Sequence, residues 1–222
     1  MKPIIHFQAL NEQALPGDWT GYVETGDSTL ERSEDASIPY RGKYGLHLTC
    51  VNNYEYAYVS KSGLNISIQP GESTFVCLAQ RFTAAPSSQA LVVSAYNNNG
   101  DSVLRLYVLS SGKARISLRD DANNFHSADG TNILTGKWYW LGIELRRATS
   151  SAASDGVGRL YIDGVLDAEE TGIDNYDIST VVNKIQVGGI GYTPPSFLAD
   201  FDEVVVADKM VRPPLPAGKV WK

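Results

Sequence analysis

The sequence predicts an all-β fold, a two-sheet antiparallel jelly-roll β-sandwich, and three observations support this prediction. Segments rich in β-branched, aromatic and leucine residues recur along the chain. Runs of Gly, Asn, Asp and Ser separate these segments at short intervals. No window of a dozen residues keeps apolar side chains at the spacing of a helical face. Many short strands without crossover helices favour a sandwich or a jelly roll.

Ten segments have the composition and the alternating apolar pattern of strands. They are 43–50, 54–60, 73–82, 90–96, 102–109, 113–119, 138–145, 158–164, 183–189 and 197–208. The connections 97–101, 110–113 and 163–164 contain residues that tolerate positive φ, which tight hairpins require. Residues 91–119 are therefore predicted to form three consecutive antiparallel strands.

Length and composition predict one large domain rather than two small ones. Of the 222 residues, 43% are hydrophobic and 20% are charged, which is enough to bury a core, and no internal linker divides them. The small, polar stretch 148–158 is predicted to be a long loop between two strands. Residues 211–222 contain three prolines, which exclude a central strand. We therefore expect one jelly-roll domain over 1–210 and a Pro-rich arm over 211–222.

Charge and cysteine content exclude several classes of function. A net charge of −6 argues against binding to nucleic acid or to an anionic membrane, because both require dense Lys and Arg. No apolar run is long enough to insert into a bilayer. Cys50 and Cys77 are too few for a disulfide framework and lack metal-ligand spacing, so both are expected to be buried thiols.

Five segments carry further motifs: Gly-Lys-Tyr in 41–48, a leading Trp in 136–147, Tyr-Ile-Asp-Gly in 158–167, a Gly-rich end in 184–191, and the apolar run of 197–208. Together these segments resemble the concanavalin A-like lectin and glucanase superfamily, including its laminin G-like jelly rolls. The Trp-led segment 136–147 and the segment 158–167, with its Tyr-Ile-Asp-Gly turn, are similar to a strand pair of that superfamily. Segments 184–191 and 197–208 are similar to its Gly-terminated strand and its closing strand. Segment 41–48 resembles the Gly-Lys-Tyr strand of related carbohydrate-binding modules. The fold serves lectins, glycosidases, lyases, adhesion modules and viral appendages, so the resemblance implies a fold without selecting a function.

Strand alternation also predicts a candidate binding face. Side chains between the core positions point outward, and this outward set is rich in arginine and tyrosine. The resemblance implies that the outer side of one sheet is a concave groove for glycans. Aromatic rings stack on sugar rings, and arginines bind carboxylate or sulfate. We therefore predict a groove, suited to acidic polysaccharide, that is lined by Tyr96, Arg105, Tyr107, Arg115, Arg119, Trp140 and Tyr161. The alternative is a solvated face that serves only solubility.

The sequence shows no convincing catalytic set of residues. Segment 200–203 lacks the carboxylate pattern of retaining glycosidases with this fold. No base and orienting group accompany His47 in sequence. A polysaccharide lyase stays open, because Arg105, Arg115 and Tyr107 are residue types that neutralise a uronate and move a proton. We lean towards a protein that is not an enzyme.

The resemblance further implies a structural calcium ion near the closing strand. Related modules hold this ion with hard oxygen ligands. Carried over to this chain, the ligands are the carboxylate of Asp202 and the main-chain carbonyl of Lys43. Gln8 stands where the family often has an acidic residue. The alternative for Asp202 is to cap a turn or to pair with an arginine.

Three hypotheses about function follow. The first is a non-catalytic, lectin-like module whose partner is a polysaccharide or another glycan. The second is a structural or adhesion component, such as a phage or viral appendage, that assembles as a homo-oligomer or on a virion; a start at Met1 without a leader and the arm 211–222 motivate it. The third is a polysaccharide lyase or glycoside hydrolase. An extracellular or virion-associated location is expected.

Overall fold

The computed structural model describes residues 5–7, 21–24, 29–33, 45–50, 57–84, 86–190 and 197–211. These ranges contain no helix, and so none that is long and apolar enough to cross a membrane. The strands are β1 (Ile5–Phe7), β2 (Gly21–Glu24), β3 (Thr29–Ser33), β4 (Gly45–Cys50), β5 (Ala57–Ser67), β6 (Ser73–Ala84), β7 (Ala90–Tyr96), β8 (Ser102–Val108), β9 (Lys113–Arg119), β10 (Phe125–Asn132), β11 (Trp138–Arg146), β12 (Gly156–Ile162), β13 (Val165–Ile173), β14 (Val181–Ile190) and β15 (Phe197–Ala207). Lys43 and residues 212–222 lie outside the described ranges, so the predicted boundary between domain and arm stays a prediction.

The strands form two antiparallel sheets. Sheet A has the order β13-β12-β11-β6-β15-β4-β3, with β1 also paired to β15, and sheet B has the order β10-β9-β8-β7-β14-β5-β2. Neighbours such as β6 and β15, or β7 and β14, are far apart in sequence but adjacent in a sheet. The predicted all-β, two-sheet jelly-roll sandwich is confirmed, because the chain passes repeatedly from one sheet to the other.

The main core lies between the two sheets. Inward side chains alternate with outward ones in the central strands, as in Leu104 and Leu106 of β8 and Leu141 and Ile143 of β11. These side chains are fully buried. Burying one aliphatic side chain of this size contributes about 1.5–3 kcal/mol to folding. The side chains on the outer faces of both sheets do not contribute to this main core.

A second apolar cluster, which we call the outer cluster, covers the outer face of sheet A. It comprises Phe75, Cys77, Ala79, Trp140, Val205 and Ala207. Met210 and Val211 pack on it from the chain that follows β15. A Cβ on Gly142 would lie 2.6 Å from the methyl group of Met210, so the missing side chain makes room for that methionine. Residues 208–211 are therefore held against sheet A.

Cys50 and Cys77 are not joined in a disulfide, and both are buried, as the sequence predicts. Burial raises the pKa of the Cys77 thiol to about 12. The thiol lies 3.7 Å from the sulfur of Met210. Cys77 is therefore a neutral packing residue of the outer cluster rather than a reactive group.

Strands β10 and β13 are absent from the sequence prediction, and both are edge strands. Most of their side chains are exposed or half-buried, so no apolar alternation marks them. They join the two sheets through Asp167, whose carboxylate accepts hydrogen bonds from the backbone N–H and the hydroxyl of Thr131 at 2.7 and 2.8 Å. This side of the sandwich is closed by polar contacts instead of by core packing.

An irregularity in β7 changes the predicted core. The pairing with β8 shifts between Leu91 and Val93, so Val92 and Val93 are both buried and Leu91 is only half-buried. A strict period of two residues through β7 would place Leu91 on the core side together with Val93, but the bulge breaks this alternation and leaves Leu91 outside the core.

Candidate functional site

The seven residues predicted to line one groove lie on the outer faces of two different sheets. Sheet B carries Tyr96 on β7, Arg105 and Tyr107 on β8, and Arg115 and Arg119 on β9. Sheet A carries Trp140 on β11 and Tyr161 on β12. The core separates these faces, so no single groove contains all seven residues. The prediction was wrong here because alternation identifies outward side chains without assigning their strands to a sheet.

Trp140 is a structural residue of sheet A. Its side chain belongs to the outer cluster, and the residue is only 1% exposed. Its indole N–H donates a hydrogen bond to the carbonyl of Val211 at 2.9 Å. The burial leaves no ring face for a ligand, so Trp140 cannot line a groove.

Tyr161 belongs to a polar network around a buried carboxylate. Glu144 is 3% exposed and accepts hydrogen bonds from the hydroxyls of Ser73 at 2.6 Å and Tyr161 at 2.9 Å. Arg159 lies 3.3 Å from the same carboxylate and also pairs with Glu169. The network satisfies the buried charge of Glu144 within the protein, so these groups stabilise sheet A.

The pH dependence of Tyr161 follows from this network. The pKa of Tyr161 is raised from an ordinary 10.0 to about 12, and burial is the largest cause. The hydrogen bond to Glu144 and the negative charge of Glu144 raise the pKa further. The stability that Tyr161 contributes is therefore present below pH 10 and is lost as the pH rises towards 12. A difference absorbance titration of wild type against Tyr161→Phe should show this tyrosine ionising late. Ionisation near the ordinary pKa would contradict the buried network.

The outer face of sheet B is organised in rows that run across the strands. Cross-strand pairing places one polar row in the middle: Ser127, Ser117, Arg105, Ser94, Gln186 and Ser60. Six strands contribute, so the row spans five strand spacings of about 4.8 Å, or roughly 24 Å. Serine is the shortest of these side chains, and Ser94 and Ser117, which flank Arg105, are buried. The Arg105 guanidinium is therefore the group that reaches outward at the centre of the row.

Three neighbours hold the guanidinium of Arg105. Its Nε donates to the hydroxyl of Ser102 at 2.9 Å, and one terminal nitrogen donates to the hydroxyl of Tyr107 at 3.1 Å. Its central carbon lies 3.8 Å from the centre of the Phe125 ring. Arginine stacks on aromatic faces because its guanidinium is planar and cationic. The side chain is therefore fixed before any ligand arrives.

The other two arginines of this face are neutralised by carboxylates. Arg115 forms a two-point pair with Asp129 across β9 and β10, at 2.5 and 3.2 Å. The hydrogen bond to Asp129 raises the pKa of Arg115, and the same bond lowers the pKa of Asp129. Arg119 donates to Asp101 at 2.9 Å. Both pairs reduce the positive charge at the two ends of β9.

Aromatic groups flank the middle row. The hydroxyl of Tyr96 donates to the amide oxygen of Gln186, and the ammonium group of Lys184 lies 4.1 Å from the centre of the Tyr96 ring. Tyr107 lies on the opposite side of the row, two residues from Arg105. The face therefore combines aromatic rings, hydroxyls, an amide and cations within reach of one another. These are the groups that bind sugar rings and their substituents.

A cleft of about 410 Å³ adjoins one end of this face. It is lined by Asn97, Asn98, Asn99, Asp101, Asp121, Asp177, Ile178, Thr180 and Val181. Asp101 connects the cleft to the face through its pair with Arg119. The polar lining suits a neutral, hydroxyl-rich group better than an anion.

The loop predicted at 148–158 decides whether the face is open. Thr149 binds Asp155 within the loop, at 2.7 and 2.8 Å. The backbone N–H of Ala148 donates to Asn175, and Arg146 donates to the carbonyl of Asp155. None of the hydrogen bonds that the structure describes for this loop reaches an outer side chain of β7–β10. The loop is therefore tied to β11 and to the chain after β13.

The structure also assembles a cluster that sequence reasoning missed. Asp200 is fully buried on the outer side of β15 and accepts hydrogen bonds from His47 at 2.7 Å and Arg81 at 2.8 Å. The side chain of Arg81 lies 5.3 Å from the centre of the Trp138 ring. Asp200 and His47 are 153 positions apart in the chain, so the orienting partner of His47 had no sequence signal. The cluster ties β4, β6 and β15 together.

Asp202, the predicted calcium ligand, is buried in β15. One oxygen of its carboxylate accepts the backbone N–H of Glu203 at 2.8 Å, and the residue is 2% exposed. Within the ranges given above, no three metal-binding side chains converge. The other predicted ligand, Lys43, lies outside those ranges. Calcium binding therefore stays a prediction.

No known protein-family model matches the sequence. No curated protein sequence matches it either. Solved structures do share the fold. Endo-β-1,4-glucuronan lyase from the fungus Trichoderma reesei is 14% identical, with a TM-score of 0.66 over 92% of this chain and 95% of the lyase.

Two botulinum neurotoxin structures are also similar. The serotype D ligand-binding domain in complex with N-acetylneuraminic acid is 14% identical, with a TM-score of 0.58 over 93% of this chain and 47% of that one. A type C structure, described as dependent on two ganglioside molecules for cell entry, is 14% identical, with a TM-score of 0.60 over 93% and 47%. This chain spans about half the length of those neurotoxin chains. At such identities the likeness shows the β-sandwich fold alone.

Proposed function

We propose that this protein is a non-catalytic glycan-binding module of the concanavalin A-like type, with its site on the outer face of sheet B. The observation that carries the proposal is Arg105, an immobilised cation at the centre of a polar row, without a carboxylate partner among the described residues. An arginine that serves only solubility needs no such support. Tyr96, Tyr107 and Phe125 supply aromatic groups around it.

The structural neighbours support the same proposal. The lyase is named for a glucuronan, and the serotype D neurotoxin domain was solved with N-acetylneuraminic acid. Both are sugars that carry a carboxylate. The lyase, which this chain covers over 95% of its length, supports an acidic glycan as the ligand, and the cation at the centre of sheet B provides a matching charge.

A glycan array with purified protein tests the proposal. We expect binding to acidic glycans by wild type and a loss of about 10- to 100-fold in affinity for Arg105→Ala, because a charged hydrogen-bonding partner is removed. Lys137→Ala is the matched control, since it removes one exposed cation far from the face. No binding to any member of the array, or equal binding by Arg105→Ala, would overturn the proposal.

A polysaccharide lyase is the second candidate, and the contact between Arg105 and Tyr107 favours it. The guanidinium lies 3.1 Å from the Tyr107 hydroxyl, where it would neutralise a uronate beside a group that moves a proton. His126 does not join them, because it lies on the other side of β10 and binds Asp120 at 2.8 Å. Unsaturated uronates released from polyuronates by wild type but not by Tyr107→Phe would establish the lyase.

The appendage hypothesis depends on the arm 211–222, of which only residue 211 is described. It stays a prediction about assembly. Mass photometry of the full chain tests it, because assembly through the arm requires an oligomer and a strict monomer would argue against it.

A further inference from the structure

We infer that the glycan bound by sheet B is a linear chain of uronates and that Arg105 binds the carboxylates of this chain. Ser102, Tyr107 and Phe125 are positioning residues that hold the Arg105 side chain. This inference rests on the proposed function and adds the ligand class and the specificity-determining residue. It depends on three features of the face: the immobilised guanidinium, the distribution of unpaired charge, and the spacing of the two unpaired cations.

The guanidinium of Arg105 is prepared for a two-point contact with a carboxylate. Arginine has five N–H donors, and the described contacts of Arg105 use two of them, on Ser102 and Tyr107. Three donors remain, all on the terminal nitrogens. The two hydrogen bonds and the Phe125 ring, whose centre lies 3.8 Å from the guanidinium carbon, restrict the side chain, so the remaining donors keep one direction. A carboxylate is planar and accepts two parallel N–H bonds, which is the geometry this arrangement offers.

The unpaired positive charge of the face favours binding of an anionic group at the centre of the face rather than at its ends. Arg115 and Arg119 are paired with Asp129 and Asp101. Arg105 and Lys184 form no ion pair with any carboxylate that the structure describes. The protein carries a net charge of −6, so two unpaired cations near the middle of the face form a local exception, whereas the charge of Lys113 at the start of β9 acts on Asp129. Anionic groups of a ligand are therefore attracted there and repelled elsewhere.

The spacing of the two cations indicates a repeating anion. Arg105 lies on β8 and Lys184 on β14, with β7 between them. Two strand spacings, roughly 10 Å, separate the two strands. Lys184 also lies two residues along β14 from Gln186, the middle-row position of that strand, which adds an offset of roughly 7 Å along the strand. Ser94 and Gln186 of the middle row offer hydroxyl and amide groups beside the line between the two cations. A linear polyuronate that crosses the strands obliquely would place a carboxylate near each cation.

The test is calorimetry with defined uronate oligosaccharides and with the same oligosaccharides after reduction of their carboxyl groups. Wild type is expected to bind the uronate form at least about 10-fold more tightly. Arg105→Ala should lose about 10- to 100-fold in affinity for the uronate form and little for the reduced form. Arg105→Lys keeps the positive charge but not the planar set of donors. It should therefore retain only part of the difference in affinity between the uronate and the reduced oligosaccharides.

The positioning role of Phe125 has a separate readout. Phe125→Leu should lower the ratio of uronate to reduced-form affinity, and Phe125→Trp should restore it, because the indole also stacks on a guanidinium. A merely structural role would lower both affinities together and leave the ratio unchanged. Ser102→Ala should reduce the ratio in the same direction, while the Lys137→Ala control should not change it.

The outcomes separate this inference from the proposed function. Equal affinity for the uronate and reduced forms would overturn the recognition of carboxylates by Arg105 but would leave the proposed glycan binding in place. Absence of binding to both forms, and to every glycan of the array, would overturn both. Tighter binding of sulfated oligosaccharides than of uronates would overturn the assignment of the carboxylate. Each variant is compared with wild type for its thermal unfolding midpoint, so that misfolding is recognised.

Discussion

Trp140→Ala is expected to lower the free energy of unfolding by about 3–5 kcal/mol, while glycan affinity stays unchanged. The ring is fully enclosed in the outer cluster on sheet A, and its removal leaves a cavity. It also releases the carbonyl of Val211, and with it the segment that carries Met210. Since folded domains are stable by only about 5–15 kcal/mol, a loss of this size is easily measured by chemical denaturation.

The matched control for this prediction is Trp140→Phe. This variant keeps most of the apolar ring and loses the hydrogen bond to Val211. We therefore expect the free energy of unfolding to fall by about 0.5–1.5 kcal/mol. If Trp140→Ala left stability within about 1 kcal/mol of wild type and abolished glycan binding, Trp140 would be a ligand-binding residue and the location of the site would be wrong.

Phe201→Ala is expected to cost about 3–5 kcal/mol of unfolding free energy. Phe201 lies in β15 at the centre of sheet A, pairs with Leu46 of β4 and Gln80 of β6, and is fully buried between the sheets. The cavity would lie in the main core, where both sheets pack against each other. Urea unfolding followed by tryptophan fluorescence measures the loss.

Leu198→Ala is the control on the same strand. Leu198 is only half-buried and lies outside the core cluster, so the expected loss is less than about 1.5 kcal/mol. Similar losses for the two variants would mean that β15 does not present Phe201 to the core as described.

Most of the fold could be predicted from the sequence because central strands carry a strong signal. The buried strands β8, β9 and β11 combine apolar alternation with turn residues on at least one side, and their predicted ranges differ from the observed ones by no more than one residue. The edge strands β10 and β13 were missed because little of their surface is buried. Their positions depend on contacts such as Thr131 with Asp167, which join residues 36 apart.

The candidate site was predictable only in part. The outward direction of Arg105, Arg115 and Arg119 follows from the period of two residues along a strand. The neutralisation of Arg115 by Asp129 does not, because it requires the pairing of β9 with β10. Trp140 was misplaced for a related reason. Alternation places its side chain outside the main core, but a second layer of chain covers that side of sheet A.

NMR titration of isotope-labelled protein with a uronate oligosaccharide measures most directly whether the outer face of sheet B binds an acidic glycan. Amide shifts should change in β7–β10 and β14, with the largest changes beside Arg105, and Arg105→Ala should need about 10- to 100-fold more oligosaccharide for the same changes. Changes confined to β6, β11 and β12 of sheet A, or none at any concentration of the oligosaccharide, would contradict binding to that face.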